Sequence, residues 1–288
     1  MMTKRAWPFI FPLALAGLTA TPALAVNFTT YRAVYDLEPA RIQQGTAAQP
    51  IDGKVAYEVS GSECAGFTID SDYTTRYTDG ENGGVRTVNT LSNTFESSDS
   101  LELDVSQTQT VNKDVTDDTK ITAKRPAANT EVQAEQQGTK KQHFTLGPDV
   151  LFPTAHQKKL VAEAMAGQTR DVSLVYDGSD GSKLFKVVTF IGKKREPGTY
   201  APDMANPDAQ SLKSLASWPF QLGYYDTANP DAETPDFQAT FNMYENGVST
   251  EMLFDYGSFS MRGKLSHFET LEPKTCDGSG TAPKAVAQ

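Results

Sequence analysis

Metal-binding and thiol side chains are scarce in this chain, with three histidines and two cysteines in 288 residues. His143, His156 and His267 stand far apart, and Cys64 and Cys276 do not form a Cys-x-x-Cys pair. So few scattered ligands do not make a tetrahedral zinc site, and the redox spacing is missing. No metal or cofactor is expected. The common catalytic motifs are absent as well: no Gly-x-Ser-x-Gly elbow, phosphate-binding loop, His-Glu-x-x-His or Gly-x-Gly-x-x-Gly occurs. Positive charge is in deficit, 26 Lys and Arg against 36 Asp and Glu, for a formal net charge of -10. Phosphate backbones and anionic headgroups repel such a chain, which excludes nucleic acid and argues against electrostatic membrane binding. Beyond the N-terminus, no apolar run is long enough to cross a bilayer.

What is present begins with export. Met1–Arg5 is a short basic segment, Ala6–Thr19 an apolar one broken by Pro8, Pro12 and Gly17, and Ala23-Leu24-Ala25 a small-x-small site. This pattern predicts a signal peptide over residues 1–25, cut after Ala25, and hence a soluble periplasmic protein. No cysteine follows the cut, so lipoprotein processing is not indicated. In an oxidising compartment two cysteines predict a Cys64–Cys276 disulfide, with two unpaired buried thiols as the alternative. Closing so long a loop stabilises a domain by about 2–5 kcal/mol. It also requires the Cys64 segment to pack beside the C-terminal end. One domain over 26–277 is therefore expected, followed by a flexible tail over 278–288.

Most of the mature chain reads as short strands separated by turn chemistry. Tyr31–Leu37 alternates, Val55–Val59 follows Gly53, and Phe67–Tyr77 and Val85–Thr94 flank the Asp79–Gly84 reversal. The polar stretch 97–142 keeps alternation at Leu101, Leu103 and Val105 and at Ile121 and Ala123, which predicts antiparallel strands with one wet face; disorder is the competing reading. A helix is predicted over Ala155–Ala166, with Thr154 and Gln157 as a capping box and Gly167 as the stop. Asp208–Ser217 is a candidate second helix. Hairpins follow at 172–191 and, around Asn246-Gly247, at 237–256. The fold class is mainly β: a large curved antiparallel sheet holding one main helix on its concave face.

Chemistry-bearing candidates are few. His156, near the start of the helix, reads as a buried hydrogen-bonding residue or a ligand contact. The aromatics are by default core, but a wide curved sheet also encloses ligand space. On that basis Phe152, Trp218 and Phe220 join His156 as candidate cavity or helix-start residues, with Trp218-Pro219-Phe220 at the rim. Paired carboxylates of a cryptic hydrolase are the remote alternative.

Several segments together resemble a known family. They are Tyr31-Arg32-Ala33-Val34-Tyr35-Asp36-Leu37, Tyr57-Glu58 with Cys64-Ala65-Gly66-Phe67, and Leu146-Gly147 through Phe152-Pro153-Thr154-Ala155-His156. Asn246-Gly247, Leu253–Phe259, and Arg262-Gly263 through Leu271 and Cys276 complete the set. In order and spacing they resemble the envelope integrity protein B family of alphaproteobacterial periplasmic proteins, over roughly residues 28–277. The resemblance implies a spiral antiparallel sheet around a helix, closed by a disulfide at Cys64 and Cys276 and similar in shape to periplasmic lipoprotein carriers. It implies a non-enzymatic role in envelope integrity, division and cell-wall stress tolerance, exerted through protein contacts. A tetratricopeptide-repeat protein is one implied partner; a lipid or lipoprotein acyl chain is the alternative occupant. The chain departs from the family pattern at Tyr31, where His is expected, and at Phe67, where Trp is expected.

Overall fold

The structure, a computed structural model, describes residues 26–79, 83–200 and 207–276. The expected signal peptide and the C-terminal tail lie outside the described residues. The strands are β1 (Tyr31–Ile42), β2 (Ala48–Ser62), β3 (Gly66–Asp79), β4 (Val85–Glu96), β5 (Glu102–Val111), β6 (Asp114–Lys124), β7 (Val132–Gly138) and β8 (Gln142–Leu146). Then come β9 (Val150–Leu151), helix α1 (Pro153–Met165), β10 (Arg170–Val175), β11 (Phe185–Ile191) and the short helix α2 (Pro207–Ser211). Finally β12 (Ser217–Asp226), β13 (Phe237–Tyr244), β14 (Ser249–Asp255) and β15 (Phe259–Thr270) close the chain.

All of these strands join one 15-stranded sheet in the order β8-β7-β6-β5-β4-β3-β2-β1-β15-β14-β13-β12-β11-β10-β9. Two antiparallel meanders meet where the first strand pairs with the last, Tyr31 opposite Thr270. The polar stretch after residue 97 is ordered strand, because Leu103, Val105, Ile121 and Ala123 supply a buried face while the opposite face stays wet. Near β14 the turn closes from the Tyr244 carbonyl to the Gly247 amide, with Gly247 at φ +84. That left-handed conformation suits glycine.

The sheet curls until its two edges approach. β8 and β9 lie at opposite ends of the strand order yet are joined by residues 147–149 alone. Leu103, Ile121 and Leu146 from one end pack with Val150, Phe152 and Tyr176 from the other. Arg125 reinforces this seam, donating to the carbonyls of Pro148 and Val150 at 3.3 and 2.6 Å while lying 4.8 Å over the Phe152 ring. The loop after β10 crosses the gap, and Gly178 sits so close to Val105 that a Cβ would approach it to 2.9 Å.

Helix α1 lies inside this curl. Leu160, Val161 and Ala164 pack against Val175, Val187, Trp218, Phe220 and Leu222 of the inner wall. Its start departs from expectation. Thr154 is no cap, since Phe152 holds the N-cap position and makes no side-chain bond. Instead the buried Glu96 carboxylate, at the end of β4, accepts from the amides of Thr154 and Ala155 at 2.7 and 3.0 Å. An anion there satisfies helix amides that would otherwise be unpaired and complements the helix dipole. The second helix is also shorter than expected. It ends at Ser211, a 3-10 turn covers Leu212–Ser214, and Ser217 pairs with Tyr244 as strand. Burial of Ala216, Ser217 and Trp218 in the sheet outweighs local helical preference there.

Candidate apolar cavity on the concave face

Strand alternation delivers two sets of rings to the interior. Tyr31 (β1), Tyr57 and Val59 (β2) and Phe67 and Ile69 (β3) come from one wall, and Tyr224 (β12), Phe237 and Phe241 (β13) and Met252 and Phe254 (β14) from the other. Together with Phe28 they line a cavity of about 230 Å³. β2 and β12 are separated in the sheet by β1, β15, β14 and β13. Only strong curvature brings their side chains to one space.

The lining is stacked and uncharged. Tyr224 lies 5.5 Å from Phe237 and Phe237 6.2 Å from Phe254 between ring centroids, while Phe220 stacks behind Phe241 at 5.9 Å. No Asp, Glu, Lys or Arg is among the described lining residues, whose polar members include Thr154, Gln157 and Asn246. Burial pushes the Tyr57 hydroxyl up to about 12, with Tyr73 adding to the effect, and raises Tyr31 and Tyr224 further. These phenols therefore stay neutral across the physiological range. Beside the lining, Lys158 lies 4.7 Å from the Phe67 ring and pairs with Glu63.

The residues singled out from sequence separate. Trp218 and Phe220, 3% and 1% exposed, form the wall behind the cavity and not its rim, because on the β12 face they share with the lining Tyr224 they lie earlier in the strand, packed with α1. Phe152 belongs to the seam. His156 is buried on the side of α1 facing β10, its Nε2 3.8 Å from the Asp171 carboxylate. There Lys159 donates to Asp171 and, at 2.9 Å, to Ser173, which donates to Asp171 at 2.7 Å. Burial raises the Asp171 carboxyl, but the nearby His156 imidazole and the bonds from Lys159 and Ser173 outweigh it and hold the group well below its ordinary range. This cluster pins the helix to β10 and lies apart from the cavity lining. Cys64 and Cys276 are bridged, with Cα atoms 5.8 Å apart at a sequence separation of 212. The bridge clasps the C-terminal segment beside the β2–β3 turn, where the Lys274 amide also bonds the Gly61 carbonyl at 2.9 Å.

Sequence reasoning missed Phe28, which lies outside any strand, and Glu96, whose partners lie 58 residues on. Neither position carries a local signal.

A family model described as EipB-like matches residues 22–272. The chain belongs to the EipB-like family. A curated relative from Brucella abortus (strain 2308), the cell envelope integrity protein EipB, is 28% identical over 248 residues, which cover 85% of each chain. Among solved structures, a β-barrel-like protein of domain of unknown function DUF1849 from Brucella abortus superimposes with a TM-score of 0.78 at 26% identity. That match covers 86% of this chain and 100% of the other. The EipB-like fold is thus the nearly closed, mainly β sheet described above. Among the described residues no helix is long and apolar enough to cross a membrane.

Proposed function

We propose that this protein is a non-enzymatic, periplasmic factor in cell-envelope integrity that works by binding an apolar group in its concave cavity. The uncharged aromatic lining carries this reading, since such surface favours hydrocarbon and disfavours ions. At about 230 Å³ the space falls below the range of about 300–1,000 Å³ typical of drug-sized ligands, which limits it to part of one hydrocarbon chain or a group of similar size. A lipid or a lipoprotein acyl chain has that chemistry. The envelope role is supported by the name of the Brucella relative and by the leader-like N-terminus.

A second reading, action through protein contacts, is favoured by Val172 and Phe190. They stand 49% and 55% exposed on the strand faces turned away from α1. Binding in the cavity and docking on that outer face are compatible.

Titration with dansyl-labelled undecanoic acid tests the cavity. Saturable fluorescence enhancement in the wild type, reduced in Ala239→Phe, is the expected result; no saturable signal in the wild type would overturn the binding reading. Ala239 is 5% exposed, faces the cavity and bears no other role in it.

A further inference from the structure

We infer that residues Val26–Thr29 form a strap that occludes the cavity with Phe28 and must swing aside before an apolar group enters. This rests on the cavity being a binding site. The segment has no secondary structure of its own and crosses the curl between the β13–β14 turn and the β2–β3 turn. Its hold at one end is the Thr29 amide on the Asn246 carbonyl at 3.0 Å and the Asn246 amide on Thr29 Oγ1 at 3.1 Å. At the other, the Phe28 amide donates to Glu63 at 3.1 Å in an exposed position.

The ring itself reaches inward. It lines the cavity, meets Phe67 edge-on at 6.1 Å, and lies over Gly247 so closely that a Cβ there would come to 2.7 Å. Phe28 packs at once against Tyr31-side and helix-side residues of the core, bridging the two walls. An apolar side chain in an apolar site is a built-in competitor for any hydrocarbon ligand. Up to Thr29 its tether is a few bonds, the one to Glu63 exposed and the one from the Asn246 side chain part-buried, each of modest net strength, while the buried Thr30, bonded both ways to Leu271, is the fixed end. Such a segment belongs to the low-stability end of a structure, from which gating elements are drawn. The apparent affinity then falls by the fraction of molecules with the strap displaced.

Two variants of the purified protein, with binding of dansyl-labelled undecanoic acid followed by stopped flow, test this. Phe28→Ala removes the competitor, and about tenfold tighter binding with faster association is expected. Thr29→Val, an isosteric change at a lining position, cuts the side-chain bond from Asn246 while leaving the ring and the cavity volume in place. Faster association there reports release of the strap and not added space, and it stands if Phe28→Ala fails to fold. Unchanged association in Thr29→Val, or equal affinity in folded Phe28→Ala and wild type, overturns the strap and leaves the cavity reading intact. Absence of saturable binding in the wild type and in both variants overturns the cavity reading, and the strap with it.

Discussion

The Glu96 carboxylate, 2% exposed at the end of β4, caps helix α1 by accepting from the Thr154 amide at 2.7 Å. A second bond, from the Ala155 amide, fills its other oxygen, which Ser100 also reaches at 2.9 Å. One acid thus fixes the only long helix among the described residues against the polar half of the sheet.

Glu96→Ala is expected to cost about 1–3 kcal/mol, the penalty for leaving buried amides unpaired. Glu96→Gln, which keeps the shape and one acceptor, should lose less. Urea unfolding of the two variants beside the wild type measures the order; equal stability of all three would remove Glu96 from this role.

Stability should depend on pH through two acids of opposite sign. Asp171 is held below its ordinary value of 3.8, so the stability it contributes is present above that pH and is lost as pH falls beneath it. Glu96 is raised above its ordinary 4.5, chiefly by burial, with its hydrogen bonds working the other way. The folded state therefore holds that proton more tightly, and stability falls as pH rises through the interval just above 4.5. Urea midpoints from acid to neutral pH should show Asp171→Asn flattening the low limb and Glu96→Gln the upper one.

The Cys64–Cys276 clasp should be visible as a mobility difference on gels with and without reductant. Its loss should lower stability by about 2–5 kcal/mol. Cys64→Ser with Cys276→Ser tests the same quantity without reductant, and an unchanged thermal midpoint would contradict it.

Trp218 and Phe237 should behave differently although both are aromatic residues of neighbouring strands. Trp218→Ala empties a tightly packed site beneath α1 and should cost about 3–5 kcal/mol. Phe237→Ala, at a partly buried cavity position, should cost less stability and more of the dansyl-probe affinity. Parallel unfolding and titration curves separate the two effects.

These contrasts follow what local pattern can and cannot encode. Alternation over Tyr31–Leu37 and the Asn246-Gly247 turn announce β1 and the β13–β14 hairpin, because period and turn chemistry are properties of adjacent residues. The aromatics read as core by default and as cavity lining in the alternative; Tyr31, Tyr57, Phe67, Tyr224, Phe237 and Phe241 line the concave space, while Phe152, Trp218 and Phe220, the rings singled out for it, do not. Which rings face ligand space and which sit behind it depends on sheet curvature, and that comes from the pairing of fifteen strands. Trp218 therefore reads as rim and folds as wall. Thr154 reads as a helix cap for the same reason: a carboxylate from β4 displaces the local solution, and no window around residue 154 contains it.

The most direct test of a cavity that holds an apolar group is native mass spectrometry of the protein purified from the cells that make it. A co-purifying species of lipid or acyl mass, released on denaturation and depleted in Ala239→Phe, is the predicted result. A spectrum showing the bare polypeptide mass in every preparation would contradict it.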